Sequence, residues 1–172
     1  LRTKIMNLKK IKNDLDVLSK ACIPITKKIN LGVIEKMKSI LHENDGVGLA
    51  APQVGLDCRL ILCKESPKAE KIHVMVNPVI KEKEGLEIDA EGCLSIPDLA
   101  VDVPRQTKIK VTYSDEDLNE KNIVAEGYFA RVLQHEIDHL DGILIIDRGV
   151  ENGFFYKGEQ LSKNEVNQKF LI

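Results

Sequence analysis

The stretch Glu126-Gly127-Tyr128-Phe129-Ala130-Arg131-Val132-Leu133-Gln134-His135-Glu136-Ile137-Asp138-His139-Leu140 decides how the whole chain is read. Its periodicity predicts a helix. Tyr128, Val132, His135 and His139 fall on one side, and Phe129, Leu133, Ile137 and Leu140 on a broad neighbouring side. A helix apolar around most of its girth belongs in a protein interior. It also contains His-Glu-x-x-His. Residues four apart share a helix face, so His135 and His139 can grip one metal ion from the same side. Glu136 sits about 100° round the helix, within reach of a water on that ion. Two imidazole ligands, a carboxylate to move protons and room for water are the parts of metal-assisted hydrolysis. The bland alternative is a surface helix with two solvated histidines.

Working outward, Gly142 is placed to end this helix, and Ile143 to Ile146 reads as a short buried strand. The tail from Gly149 is polar apart from Phe154, Phe155 and Tyr156. Upstream, Lys108–Tyr113 and Lys121–Glu126 form a hairpin across the turn Ser114–Asp117. Leu86 to Ala90 alternates as a half-buried strand does. It leads into Glu91-Gly92-Cys93-Leu94-Ser95-Ile96-Pro97. Arg59–Lys64 and Ile72–Val76 read as buried strands. Asn77-Pro78 interrupts the second, before a solvated strand over Val79–Glu84. Asn30 is a plausible N-cap for a helix running to Glu43. Leu31, Ile34, Met37, Ile40 and Leu41 give it an apolar stripe. A short helix is expected around Leu15–Ser19, with an extended break at Pro24. The fold class is therefore α+β: antiparallel sheets around a buried helix that carries the histidines, with an amphipathic helix nearer the N-terminus.

The bulk numbers agree with one domain over 1–172. Hydrophobic residues make up 43% and charged residues 30% of the 172, ordinary for a globular protein. A net charge of −2 argues against an extended basic surface for nucleic acid. No apolar run approaches the roughly 20 residues that cross a bilayer. The basic stretch Leu1–Lys12 lacks the apolar core and small-residue cleavage site of a signal peptide. The four cysteines, Cys22, Cys58, Cys63 and Cys93, contain no Cys-x-x-Cys pair. Reduced thiols in a cytoplasmic protein are the expectation. Cys22, Cys58 and Cys63 sit among apolar neighbours and read as buried hydrophobes.

A catalytic zinc-type site needs a third protein ligand. His42, His73 and Cys93 are the candidates. Cys93 lies beside Gly92 where a strand breaks into a turn, and a metal makes its thiolate the stable form. A buried cysteine at a strand end is the alternative. Gly46-Val47-Gly48-Leu49-Ala50-Ala51-Pro52-Gln53 leaves the backbone bare, as either a tight turn or a ligand-approaching loop does. It lacks the Lys-Ser/Thr of a phosphate loop.

Three stretches together resemble the motifs of the peptide deformylases: Gly46–Gln53, Glu91-Gly92-Cys93-Leu94-Ser95, and Gln134–His139. Their order and separations also fit, and the likeness spans roughly residues 11 to 148. The resemblance implies a hydrolase that removes the formyl group from the N-terminal formyl-methionine of new polypeptides, releasing formate. It implies metal ligation by Cys93, His135 and His139, with Fe2+ as the native ion and Zn2+, Ni2+ or Co2+ able to replace it. Metal-bound hydroxide attacks the formyl carbon, Glu136 serving as general base and then acid. The Gln53 amide and the Leu94 backbone N–H serve the oxyanion. Val47, Gly48 and Leu49 are expected to line the approach, with Gly48 backbone pairing to the substrate peptide. Tyr128 and Val132 are expected to wall the methionine pocket. Glu91 and Arg105 read either as an ion pair bracing the Cys93 strand or as two exposed charges. The implied partners are N-formyl-methionyl nascent polypeptides, with transient proximity to the ribosome. Neither nucleic-acid nor membrane binding is expected. Asp14–Lys20 matches the family's opening only loosely, and the tail lacks the long helix of many relatives.

The rival is a His-Glu-x-x-His endopeptidase with a third ligand downstream of the helix. Only 33 residues follow His139, none of them His or Cys, leaving Glu151, Glu159 and Glu165. A structural metal site would use four protein ligands, with no Glu placed for water.

Overall fold

The computed structural model describes residues 6–171, so the first five residues of the basic N-terminal stretch lie outside it. The pivot is the predicted helix, α3, over Gly127–Leu140. Every residue from Phe129 to Leu140 except His135 is buried. Its C-terminus closes as a Schellman turn: Ile143 N–H donates to Asp138 O at 2.9 Å and Gly142 N–H to His139 O at 3.2 Å. Gly142 adopts φ +72°, and a Cβ there would strike the backbone of Ser19 and Lys20.

One sheet contains β1 (Gly48–Ala50), β2 (Leu60–Cys63), β3 (His73–Glu84), β6 (Lys108–Ser114) and β7 (Glu120–Glu126), in the order β1-β2-β3-β6-β7 with antiparallel neighbours. Helix α2 (Leu31–Glu43) covers one face and α3 the other. This sandwich explains the unbroken apolar run of β2. Leu60 and Leu62 pack with Ile34, Met37 and Leu41 of α2, while Ile61 and Cys63 pack with Leu133 and Ile137 of α3. Each fully buried side chain of this kind contributes about 1.5–3 kcal/mol, so packing holds α3 rather than helix propensity.

The second sheet has the order β4-β5-β8-β9: Glu87–Cys93, Ile96–Arg105, Phe154–Tyr156 and Glu159–Leu161. Its core gathers Ile96, Val101 and Phe154 with Ile11 and Leu18 of α1 (Ile11–Leu18). Leu144, Ile145 and Ile146 join from α4 (Ile145–Arg148), and Val166 and Phe170 from α5 (Lys163–Phe170). No helix among the described residues is long and apolar enough to cross a membrane.

Several expectations change. Ile143–Ile146 is not a strand: Ile145 and Ile146 open helix α4, and Asp147 accepts from Leu144 N–H at 2.8 Å to cap that turn. Asn77-Pro78 does not end its strand. The ladder to β6 shifts register there and continues, with Asn77 at φ +50°. The Asn77 side-chain amide pairs with both backbone groups of Ile25, each at 2.8 Å, so the bulge anchors the connection into α2. Leu86–Ala90 is exposed on both faces, with Leu86 65% and Ile88 56% accessible, because β4 is a sheet edge and among the described residues no apolar side chain buries these two. Asn30 caps α2 by accepting from Gly32 N–H, as expected, but Leu31 is 57% exposed. At the first turn of the helix it has already rotated off the core-facing stripe. The short helix begins at Ile11 rather than Leu15. Cys58 is only partly buried.

Candidate metal centre and catalytic cleft

Helix α3 supplies His135 and His139, whose ring centroids lie 5.0 Å apart. Cys93 arrives from the end of β4, where the chain turns through Leu94 and Ser95 into β5. One atom from each of the three residues lies within 4.8 Å of the others. Cys93 Sγ and His139 Nε2 are 3.3 Å apart. His135 Nδ1 pairs with Glu91 Oε2 at 3.0 Å, leaving Nε2 for the cluster. A thiolate and two imidazoles converging on one point fit a divalent cation with ligand distances of about 2.0–2.3 Å. Among the described residues no other such cluster occurs. His42 is exposed at the end of α2, and His73 pairs with Glu65, so neither joins it.

The charge states suit ligation. Burial disfavours a thiolate, yet the charge on His139 and hydrogen bonds from both imidazoles hold Cys93 well below the ordinary thiol range. Burial also disfavours a charged His135, but bonds to Cys93 and Glu91 hold it well above an ordinary imidazole. A cation held by Cys93, His135 and His139 would need the thiolate that these contacts favour and a neutral His135.

Behind the ligands runs a buried charge network. Arg105 donates to both Glu91 oxygens, at 2.8 and 3.0 Å, and also to Asp138. Arg131 donates to Glu91 at 2.9 Å and to the carbonyls of Glu87, Asp89 and Val103. Arg148 closes the chain on Asp138. Burial alone would raise the Glu91 carboxyl, but His135 and Arg105 bring it down to about 2. Glu91 is thus held in its anionic form, where it orients the His135 imidazole. Glu91 with Arg105 is a buried brace, not two exposed charges. Arg131, Asp138 and Arg148 belong to the same brace without having drawn notice in the sequence. Gln134 is a further tie, exchanging bonds with the Gln106 backbone at 2.9 and 3.0 Å.

Glu136 is buried, and its Oε2 has no hydrogen-bond partner among the described residues. Burial raises its carboxyl to about 7, even with two imidazoles pulling the other way. It lies against Gly48, where a Cβ would fall 2.7 Å from the Glu136 Cδ and 2.8 Å from its Cγ. Bare backbone at Gly48 is therefore a steric requirement of the carboxylate. Gly48→Ala should push that carboxylate aside and lower kcat by about 100-fold, the scale expected of an ångström misplacement. Activity within threefold of the unsubstituted enzyme, at unchanged Tm, would show that the carboxylate has room to move.

Gln53 sits in the 3-10 turn Ala51–Val54 after β1 and is 1% exposed. Its Oε1 accepts from Ala50 N–H at 2.8 Å. That fixes the amide orientation, so Nε2 faces Ser95 Oγ at 3.2 Å and Cys93 Sγ at 3.6 Å. Gln53, Leu94, His135 and Glu136 line one cleft of about 480 Å³, together with Val47, Gly48, Tyr128 and Val132. Asp45, Asp98 and Leu99 also line it, and nothing in their local sequence signals that. Leu49 does not line it. Its side chain is wholly buried in the α2-facing core, because strand alternation turns it away from its neighbour Gly48.

A sequence-family model described as polypeptide deformylase matches residues 5–153. The peptide deformylase of Symbiobacterium thermophilum is 43% identical over 141 residues, covering 80% of this chain and 64% of that relative. That of Syntrophomonas wolfei is 41% identical, covering 79% and 89%. The crystal structure of peptide deformylase from Thermotoga maritima superposes with a TM-score of 0.79 at 39% identity, over 86% of this chain and 99% of its own. The one from Thermus thermophilus gives 0.83 at 38% identity, over 97% and 95%.

Proposed function

Because this chain belongs to the polypeptide deformylase family, we propose that it hydrolyses the formamide bond of N-formyl-methionyl nascent polypeptides in the cytoplasm, residues 1–172 acting as one catalytic domain. The observation that carries this reading is the convergence of Cys93, His135 and His139 at the wall of a cleft that Cys93 and His135 line together with the buried Glu136. Cys93, His135 and His139 would hold the cation, Fe2+ natively. When bound, it supplies Lewis acidity, which lowers the pKa of water and polarises a carbonyl.

The remaining steps belong to side chains and backbone. Glu136 takes a proton from the attacking water and returns it to the amine nitrogen as the C–N bond breaks, giving formate and a free N-terminus. A carboxyl near neutrality can do both. The Gln53 Nε2–H and Leu94 N–H donate to the formyl oxygen as charge develops there. The Gln53 donor is preorganised, since Ala50 holds its oxygen.

The substrate peptide has a strand edge to lie along. β1 is an outer strand of its sheet. Val47 O is taken by Lys64 N–H at 2.8 Å, and Ala50 N–H is turned to Gln53. Alternation then leaves the Gly48 backbone on the open edge, ready for strand addition. Tyr128 and Val132 offer apolar walls to a methionine side chain.

The endopeptidase reading loses its ligand: Glu151, Glu159 and Glu165 are exposed and absent from the cluster, and the third donor is upstream. Protein loaded with ferrous ion, or with nickel, should release formate from formyl-Met-Ala-Ser and no acetate from the acetyl analogue. Absence of formate release, or cleavage of internal peptide bonds instead, would overturn the reading.

A further inference from the structure

The two oxyanion donors come from different sheets. Gln53 follows β1 of the five-stranded sheet, whereas Leu94 lies in the turn between β4 and β5 of the four-stranded one. Their separation therefore depends on how the two sheets are held together at the cleft. One short segment bonds to both turns. Lys9 N–H donates to Gln53 O at 2.7 Å, and Ile11 N–H donates to Ser95 O at 3.0 Å. Between them, the Lys10 ammonium donates to Leu94 O. The flanking side chains continue the pattern. Leu8 packs into the core that holds Leu49, Ala51 and Val54, while Ile11 packs into the one that holds Cys93 and Ile96.

We infer that Lys9–Ile11 is a strap that sets the spacing of the oxyanion donors, with Lys10 as a positioning residue. The chemistry of the Lys10 contact favours this role. The ammonium takes the carbonyl of Leu94, a residue that lines the cleft, and so does not compete for the N–H assigned above to the oxyanion. A charge-assisted bond to that carbonyl fixes the turn on which the donor rides. The backbone bonds at Lys9 and Ile11 hold the two turns at either end of the strap, and Lys10 adds the link nearest the reacting oxygen. Asp14 steadies the strap from below, accepting from Lys10 N–H at 3.1 Å and pairing with the Lys9 ammonium at 3.1 Å.

This inference rests on the deformylase reading for its catalytic consequence, but not for its structural one. The test uses zinc-loaded protein for amide exchange and nickel-loaded protein for kinetics, comparing the unsubstituted chain with Lys10→Met and Lys10→Arg. Lys10→Met keeps a linear stem and removes the donors. Exchange of the Leu94–Ile96 amides should quicken about tenfold in Lys10→Met, with the α3 amides unchanged. The kcat on formyl-Met-Ala-Ser should fall about tenfold with KM within twofold and metal content unaltered, and Lys10→Arg should recover most of both. Unchanged exchange at Leu94–Ile96 overturns Lys10 as the link that fixes that turn, whatever the activity. Faster exchange with kcat unaltered confines Lys10 to a structural role and overturns its positioning one. If the unsubstituted enzyme releases no formate, the deformylase reading fails, and the exchange measurement still decides the Lys10 link.

Discussion

Glu136→Gln should retain a full equivalent of metal and lose at least about 1,000-fold in turnover. The substitution is nearly isosteric, and among the described residues Oε2 of Glu136 has no hydrogen-bond partner to lose. The protein therefore has little structural reason to respond. The proposed reaction has every reason, because in it one carboxylate both removes and returns the proton. General acid–base assistance contributes about 10²–10⁴ per step. Formate release and metal content measured on the same sample decide the matter: an active Glu136→Gln enzyme would remove the residue from the reaction.

The same variant carries a stability signature with a definite sign. In chelator-treated protein the folded carboxyl titrates near 7, whereas the unfolded one titrates near 4.5. Between those values the folded state holds a proton that the unfolded state has lost. Stability is thus full below pH 4.5 and falls as pH rises through 7, by on the order of 3 kcal/mol. Glutamine cannot ionise. The Tm advantage of metal-free Glu136→Gln over the metal-free unsubstituted protein should widen with pH across that window. A constant gap would mean that Glu136 is not desolvated in the folded chain.

The parts of this molecule that could be read from sequence are those fixed by local periodicity. Helix α3 announces itself because its apolar residues and its histidines repeat at helical spacing, and the Asn30 cap and the 108–126 hairpin are equally local. What escaped was set at long range. Leu86 and Ile88 alternate like a half-buried strand, but among the described residues no element covers them. Asn77-Pro78 looks like a stop, yet the Asn77 amide finds Ile25 some fifty positions away in sequence, and the strand survives as a bulge. The ten-residue β5 drew no notice beyond its opening turn. In the site, two candidate ligands came from one pentapeptide. Cys93 stood as a candidate beside His42 and His73 on its chemistry until the family resemblance singled it out, and Gln53 and Leu94 came through that resemblance alone, because no spacing rule links residues 53, 93 and 135. Arg131 and Asp138 lie inside the decisive helix and still passed as ordinary charges, since their meaning is the Glu91 and Arg105 side chains that meet them.

Cys93→Ala should cost the metal itself, and this separates ligation from proton transfer. Loss of an outer partner that merely orients a ligand weakens metal binding by about 10–100-fold. Removing a thiolate from a set of three should exceed that, because two imidazoles four residues apart on one helix are left to hold the ion alone. The loss is compounded at His135, whose state in the folded chain depends on bonds to both Cys93 and Glu91. Without the thiolate, Glu91 still holds the Nδ1 side at 3.0 Å, so the ring keeps its place but not its partner. Dialysed Cys93→Ala should therefore retain less than about a tenth of an equivalent, where the unsubstituted protein retains one, and formate release should fall in proportion to bound metal. The far-ultraviolet signal of α3 should persist, since Cys93 lies at a strand end outside the helix. Glu136→Gln gives the opposite pair of results, metal present and turnover absent. If Cys93→Ala kept a full equivalent, the third donor would have to be sought among other residues, and the upstream ligand that distinguishes this centre from an endopeptidase site would be lost with it.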